Sequence, residues 1–232
     1  MEGCEIERRG MEELVLSGYA QRNEYQNGAQ GVCVQIGLHD VAEYLYLAKP
    51  NWRESLAVQD SLKQIPDSVA DRFASWRYYG VDCDVGSIVK MLDKYGNSAR
   101  THWVHAAVGM IPDQLLKLQS YILGGHFIGF GCSLQSLFSL LNLSRVDVLV
   151  VDIEGGEGQL FDNYDWHIKP AYVSVEVHGD RENTSLTDSV LLERHSNLLH
   201  GKLTSVGYRL LKKEWTNYNT TGYCTCELQY HL

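Results

Sequence analysis

The sequence predicts an α/β domain built on a mostly parallel sheet with crossover helices. Three observations carry this. Strand-type and helix-type segments alternate from Gly31 onward. The run Val146–Val151 is nearly continuously apolar, interrupted only by Asp147, as in a strand covered on both faces. Two strand-like segments follow the last long helix and close the chain. The 232 residues fit one large domain of this class. The net charge of −9 disfavours a general nucleic-acid or anionic-membrane surface, because either needs clustered Lys and Arg.

Residues 1–30 are polar and read as an extension with a helix over Met11–Ala20. The domain proper is expected at 31–232. Its first strand, Gly31–Gly37, places Val32, Val34 and Ile36 between two glycines. A helix Asp40–Ala48 follows, with Asp40 as N-cap and Pro50 beyond its end. Residues 51–77 are longer than a βα unit requires. Leu62, Ile65, Val69 and Phe73 recur there at helical spacing around Pro66, which marks an insertion.

The second strand is Tyr78–Cys83 and its helix Ser87–Tyr95, stopped by Gly96. The third strand is His102–Val108, ending at Gly109. Residues 110–132 read as irregular, crowded by Gly124, Gly125, Gly129 and Gly131. Ser133 caps a helix to Leu141 that turns Leu134, Leu137, Phe138 and Leu141 inward. The fourth strand is Val146–Val151 and the fifth Tyr172–Val177. A helix Ser189–Val206 ends at Gly207. Tyr208–Leu211 and Cys224–Tyr230 are the last two strands, expected to be antiparallel.

No run of about 18 apolar residues crosses a membrane. The charged N-terminus lacks the apolar centre of a secretory signal, so a soluble, cytoplasmic protein is expected. The six cysteines fit neither a disulfide framework nor a zinc motif. Cys33 and Cys83 read as buried thiols, and Cys224 and Cys226 share one face of a strand. The sequons at Asn142, Asn183 and Asn219 are then chance matches.

In an open α/β sheet, ligands sit outside the carboxyl ends of the strands. Several polar groups gather there. Gly37 can turn the chain and admit a ligand to the backbone, or serve a tight turn only. Asp82 can accept the hydroxyls of a ribose, with Asp84 close by. Asp152-Ile-Glu154-Gly-Gly-Glu157 places three carboxylates directly after a buried strand. They can bind a divalent ion, orient an amine or hydroxyl, or cap the next helix, as Glu157 does through the helix dipole alone. No histidine is spaced to join them as a ligand, so no metal is expected. His178, just after the fifth strand, can exchange a proton near neutral pH. The pairs His102/His105 and His195/His200 read as packing or surface residues.

Val146–Glu157 followed by Tyr172-Val-Ser-Val-Glu176-Val-His178 resembles the FkbM family of S-adenosylmethionine-dependent methyltransferases. The likeness lies in the D-x-E-G-x-E strand exit and in the strand ending Glu-x-His. His105-Ala-Ala-Val-Gly109, Val81-Asp82-Cys-Asp84 and Val206-Gly207-Tyr208 are similar to further family segments. The first motif departs from the family's D-x-G-A-N-x-G: it reads Gln35-Ile-Gly37-Leu38-His39-Asp40-Val41.

The resemblance implies a class I methyltransferase fold: seven strands, mostly parallel, the last antiparallel, with helices on both faces. It implies S-adenosylmethionine as cofactor, held by Gln35, Gly37, His39, Asp82, Ala107, Val108 and Asp152. It implies methyl transfer to a hydroxyl of a sugar or other small natural product, with His178 as base and Asp152 and Glu154 orienting the reactants. The expected partner is a small-molecule acceptor, with neither nucleic acid nor membrane. Three other readings stand beside this one. They are a binding module without catalysis, motivated by the altered first motif, a nicotinamide oxidoreductase, disfavoured by the missing G-x-G-x-x-G, and a metal-dependent hydrolase.

Overall fold

A computed structural model describes residues 31–38, 76–109, 114–119, 126–153, 155–178, 188–218 and 223–232. The expected extension 1–30, helix Asp40–Ala48 and nearly all of the insertion 51–77 lie outside the described residues. So do His39 and Glu154.

Ten strands and four helices are described. Strand β1 is Val32–Ile36 and β2 Arg77–Asp82. Helix α1 is Val85–Tyr95, then come β3 (Thr101–His105), β4 (Ala107–Val108), β5 (Leu115–Gln119) and β6 (His126–Cys132). Helix α2 is Leu134–Leu140, β7 Val148–Val151, α3 Glu157–Asp162, β8 Tyr172–His178 and α4 Asp188–Ser205. Strands β9 (Arg209–Tyr218) and β10 (Tyr223–His231) end the chain.

Seven strands form one sheet in the order β3-β2-β1-β7-β8-β10-β9. The pairs from β3 to β8 are parallel. The last strand in sequence, β10, lies antiparallel to both β8 and β9. This is the sheet of the class I methyltransferase fold. The chain starts at β1, runs outward through β2 and β3, and returns to β7 on the other side. The β1/β7 boundary is therefore the switch point, where the crossovers on either side diverge and leave a crevice.

The residues explain the sheet. Val32, Val34, Ile36, Leu149, Val151, Val173, Val175 and Val177 all join one core cluster, because alternate strand residues share a face. Val148 and Val150 are buried as well, so β7 is covered on both sides, as its apolar run predicts. Asp147 does not interrupt this. It stands just before β7, where its carboxylate accepts from the Val32 backbone N–H at 2.7 Å and from Arg145 Nε at 2.6 Å. A buried acid met by a backbone donor and a guanidinium loses little on leaving water. Leu192, Leu199 and Leu203 of α4 join the same cluster as Cys226, Leu228 and Tyr230 of β10. Ser133 caps α2 as expected, accepting from Ser136 N, and Asp84 caps α1, accepting from Gly86 N.

Four expectations change. The strand expected at His102–Val108 is two strands. Ala106 N still donates to Asp82 O, but Ala107 and Val108 then pair with Gly131 and Cys132 in a second sheet, ordered β4-β6-β5. The stretch 110–132 is correspondingly less irregular than its glycines suggest, since β5 and β6 form an antiparallel pair within it. Strand β9 runs seven residues past the expected Leu211, because β10 pairs with it along nearly its whole length. Cys33 is buried as expected, whereas Cys83 is only half-buried. Among the described residues no helix is long and apolar enough to cross a membrane.

Candidate functional site

The site forms at the carboxyl ends of β1, β2, β7 and β8. Gly37 and Asp152, the residues that leave β1 and β7, touch across the switch point. Asp152 N donates to Ile36 O at 2.8 Å, and Gly37 N donates to Val81 O at 2.9 Å on the other side. Gly37 has φ +86°, and a Cβ there would lie 1.6 Å from Asp152 O. Only glycine fits, for both conformational and steric reasons. This supports the tight-turn reading of Gly37 independently of any ligand.

At the β2 end, Asp82 is buried and bonded to the backbone. One oxygen accepts from Leu38 N at 2.8 Å and the other from Asp84 N at 2.7 Å. The two neighbouring acids thus separate into different roles. Asp82 ties the exits of β1 and β2 together, and Asp84 caps α1. Gln35 is also buried, and its Oε1 accepts from Tyr78 Oη at 2.7 Å. Ala107 and Val108 are buried walls of the second sheet, and Gly109 N donates to Cys132 O. Cys83 sits between the two acids. Burial first, then the charges of Asp82 and Asp84, push its thiol up to about 11.

The β7 and β8 ends bring ionisable side chains together. His178 closes β8 and is buried. Its Nδ1 lies 3.3 Å from Glu157 Oε1, and its Nε2 lies 3.4 Å from Asp152 Oδ1 and 3.8 Å from Glu176 Oε1. Glu157, the first residue of α3, is buried and also accepts from Gly155 N at 3.0 Å. The Asp152 and Glu176 side chains are 39% and 33% exposed, so a ligand reaches the cluster through them rather than through the imidazole.

Spacing along the chain suggests no histidine partner for the 152–157 acids. Parallel pairing of β7 with β8 supplies one, because it sets Asp152 beside the exit of β8. Of the expected residues, the fold gathers Gly37, Asp152 and His178 at the crevice, with Asp82 at the neighbouring strand end.

Glu157, one of the three acids the sequence singles out, is a partner of His178 as well as a helix-start acid. One participant was missed by sequence reasoning. Glu227 lies directly opposite Glu176 on β10. Its carboxylate accepts from Ser174 Oγ and Gln229 Nε2, both at 2.9 Å. Burial first, with the Glu176 charge adding to it, holds its carboxyl above the usual range. The polar alternation Thr225, Glu227, Gln229 along β10 is the signal that could have marked it.

No family model matches the chain, and no curated protein matches it. Solved structures are similar in fold. The fibrillarin pre-rRNA processing protein of Methanococcus jannaschii is 9% identical, with a TM-score of 0.50, over 87% of this chain and 67% of that one. Aeropyrum pernix fibrillarin in complex with natively bound S-adenosyl-L-methionine is 8% identical, with a TM-score of 0.44, over 86% and 66%. The N-methyltransferase NodS of Bradyrhizobium japonicum is 10% identical, with a TM-score of 0.43, over 93% and 94%. This chain spans about two thirds of the length of each fibrillarin.

These findings correct one expectation, that nucleic acid is excluded as a partner. A pre-rRNA processing protein shares the fold. Net charge is summed over the whole chain, whereas a nucleic acid meets one local surface, so −9 excludes nothing at that scale.

Proposed function

We propose that this protein is an S-adenosylmethionine-dependent methyltransferase of FkbM type that methylates an oxygen, most simply a sugar hydroxyl. The sugar is either free or part of a larger molecule, a polynucleotide included. The single observation that carries the reading is the convergence of Asp152, Glu176 and His178 beside Gly37, at the switch point of a class I methyltransferase sheet. The strand-exit motifs of the FkbM family fall on these same positions. Residues 31–232 are proposed as the domain and 1–30 as its extension, with 51–77 inserted.

The residues fit the cofactor in chemical kind. A carboxylate cluster at the strand ends suits a cationic sulfonium and an ammonium group. Ala107 and Val108 offer an apolar wall, and each oxygen of Asp82 has more than one acceptor position for a ribose hydroxyl. Gly37, Asp82, Ala107, Val108 and Asp152 would hold it, with Gln35, His39 and Glu154 contributing from adjacent positions. S-adenosylmethionine, when bound, supplies a methyl carbon on a positively charged sulfur, open to in-line displacement.

The chain's own task is to align the acceptor oxygen and to ease loss of its proton. His178 is held between Glu157 and Asp152, which fixes its ring plane. The part-exposed Asp152 orients the acceptor hydroxyl, and His178, 3.4 Å behind it, eases loss of the proton.

Calorimetric titration with S-adenosylmethionine, S-adenosylhomocysteine and NAD in parallel tests the cofactor. Transfer of a labelled methyl group to sugar and RNA acceptors, followed by identification of the methylated atom, tests the acceptor. Saturable binding of the first two ligands alone is expected. Absence of binding at millimolar cofactor overturns the reading in favour of a non-catalytic module, which the bond between Gln35 and Tyr78 would then explain.

A further inference from the structure

Two carboxylates and an imidazole meet at the open side of the strand ends. We infer that Asp152 Oδ1, Glu176 Oε1 and His178 Nε2 form a binding site for one divalent metal ion of the Mn²⁺ or Zn²⁺ kind. The three atoms all lie within 4.8 Å of one another. Around an ion with bonds of about 2.1 Å, neighbouring ligand atoms stand about 3 Å apart and opposite ones about 4.2 Å. The observed 3.4 Å and 3.8 Å from Nε2 need only a small closure to reach that geometry.

The orientation of the ring is an independent argument. Nδ1 faces Glu157 Oε1, a buried carboxylate that lies outside the donor set. With Nδ1 turned to Glu157, Nε2 is the ring atom that faces Asp152 and Glu176. A carboxylate behind a histidine is also how proteins fix the tautomer and ring plane of a metal-binding imidazole.

Charge and scaffold agree with this. Two carboxylates supply the hard, anionic oxygen donors that a divalent ion takes. Glu176 and His178 are two apart on β8 and so share a face, and β8 is paired on both sides by β7 and β10. The donor set mixes carboxylates, which suit Mn²⁺ and Mg²⁺, with an imidazole, which favours first-row transition ions. Partial exposure of Asp152 and Glu176 leaves positions for water or for a substrate oxygen.

The ion's role rests on the methyl-transfer reading, although its binding does not. In that role it stands between His178 and the acceptor hydroxyl. It lowers the hydroxyl's pKa, so the proton leaves to water while the three side chains keep the ion.

The test uses the full chain, stripped with chelator and dialysed, and titrated with Mn²⁺ under electron paramagnetic resonance. One saturable site is expected. Asp152→Asn and Glu176→Gln should each weaken it by about 10-fold or more, whereas exposed Asp165→Asn should leave it unchanged. Should the variants fail to fold, wild-type protein labelled in its histidine rings answers the same question. Mn²⁺ should broaden the His178 signals before those of His167 and His195.

Non-saturating binding, equal binding by Glu176→Gln, or uniform broadening overturns the site. Titration of the same samples with S-adenosylhomocysteine separates the two claims. Cofactor binding without Mn²⁺ binding removes the metal site alone. Mn²⁺ binding without cofactor binding removes the methyl-transfer reading alone.

Discussion

At the carboxyl ends of β1 and β2, the polar side chains are committed to the protein itself. Asp82 holds Leu38 N and Asp84 N, Gln35 holds Tyr78, and Gly37 is pressed against Asp152 O. At the ends of β7 and β8, the polar side chains face one another. Asp152, Glu157 and Glu176 surround His178, and two of the three acids are part-exposed. The first region is built to hold a shape, and the second concentrates charge that a ligand can use. Substitutions in the first should therefore cost folding stability, and those in the second should cost chemistry.

The largest effect is expected at the switch point. Gly37→Ala puts a methyl group where Asp152 O already stands and demands a left-handed conformation of a residue with a Cβ. Conformational strain and overpacking together come to roughly 2–5 kcal/mol, a large share of the stability of an ordinary domain. Urea denaturation of the variant measures this, and a midpoint within error of wild type would refute the packing argument.

Next is His178→Ala. Turnover per folded molecule should fall by about 10²–10⁴-fold, the usual worth of a positioned acid–base group, with cofactor binding nearly unchanged. The melting temperature should also drop, since Glu157 loses a buried partner. Unchanged turnover with a lowered melting temperature would move His178 into the shape-holding class and erase the contrast between the two regions.

Asp82→Ala sharpens the comparison from the other side. It leaves the N–H groups of Leu38 and Asp84 without their carboxylate, which costs about 1–3 kcal/mol of stability. Cofactor affinity should weaken by a similar amount, about 1–3 kcal/mol, because the β1 exit loses its tie and the ribose its acceptor. Calorimetry and thermal denaturation on one sample separate the two losses.

A smaller, pH-dependent effect is expected at Glu227. Its folded-state pKa is raised, chiefly by burial, so the neutral form is favoured in the native protein. Its contribution to stability is fully present below the ordinary carboxyl range and is lost as pH rises through the raised value. Glu227→Gln should flatten this part of the stability–pH curve, with the largest gain over wild type at neutral pH. Stability measured from pH 3 to 8 checks the sign.

The smallest effect is chemical. Cys83 is half-buried, and its thiol is pushed up to about 11, so little thiolate exists at neutral pH. Alkylation by iodoacetamide should be slow at pH 8 and should accelerate as pH approaches 11. Rapid modification at neutral pH would contradict this environment.

The sequence by itself determined the succession along the chain of the strands and helices of the main sheet, because period and burial are local properties of a strand. Val32, Val34 and Ile36 alternate, and Val148–Val151 are apolar throughout, whichever partners they find. Capping by Ser133 was equally legible, since a cap bonds two or three residues onward. Gly37, Asp152 and His178 could be singled out because they follow strands.

What the sequence could not decide was contact at a distance. Only the parallel register of β7 with β8 places Asp152 beside His178, and only the return of β10 sets Glu227 against Glu176. The division of His102–Val108 between two sheets was likewise tertiary, since Ala107 and Val108 pair with Gly131 and Cys132 instead of extending β3. The physical reason is common to all three. A strand's hydrogen bonds and charges are completed by another strand, and the identity of that partner is not written in either one alone.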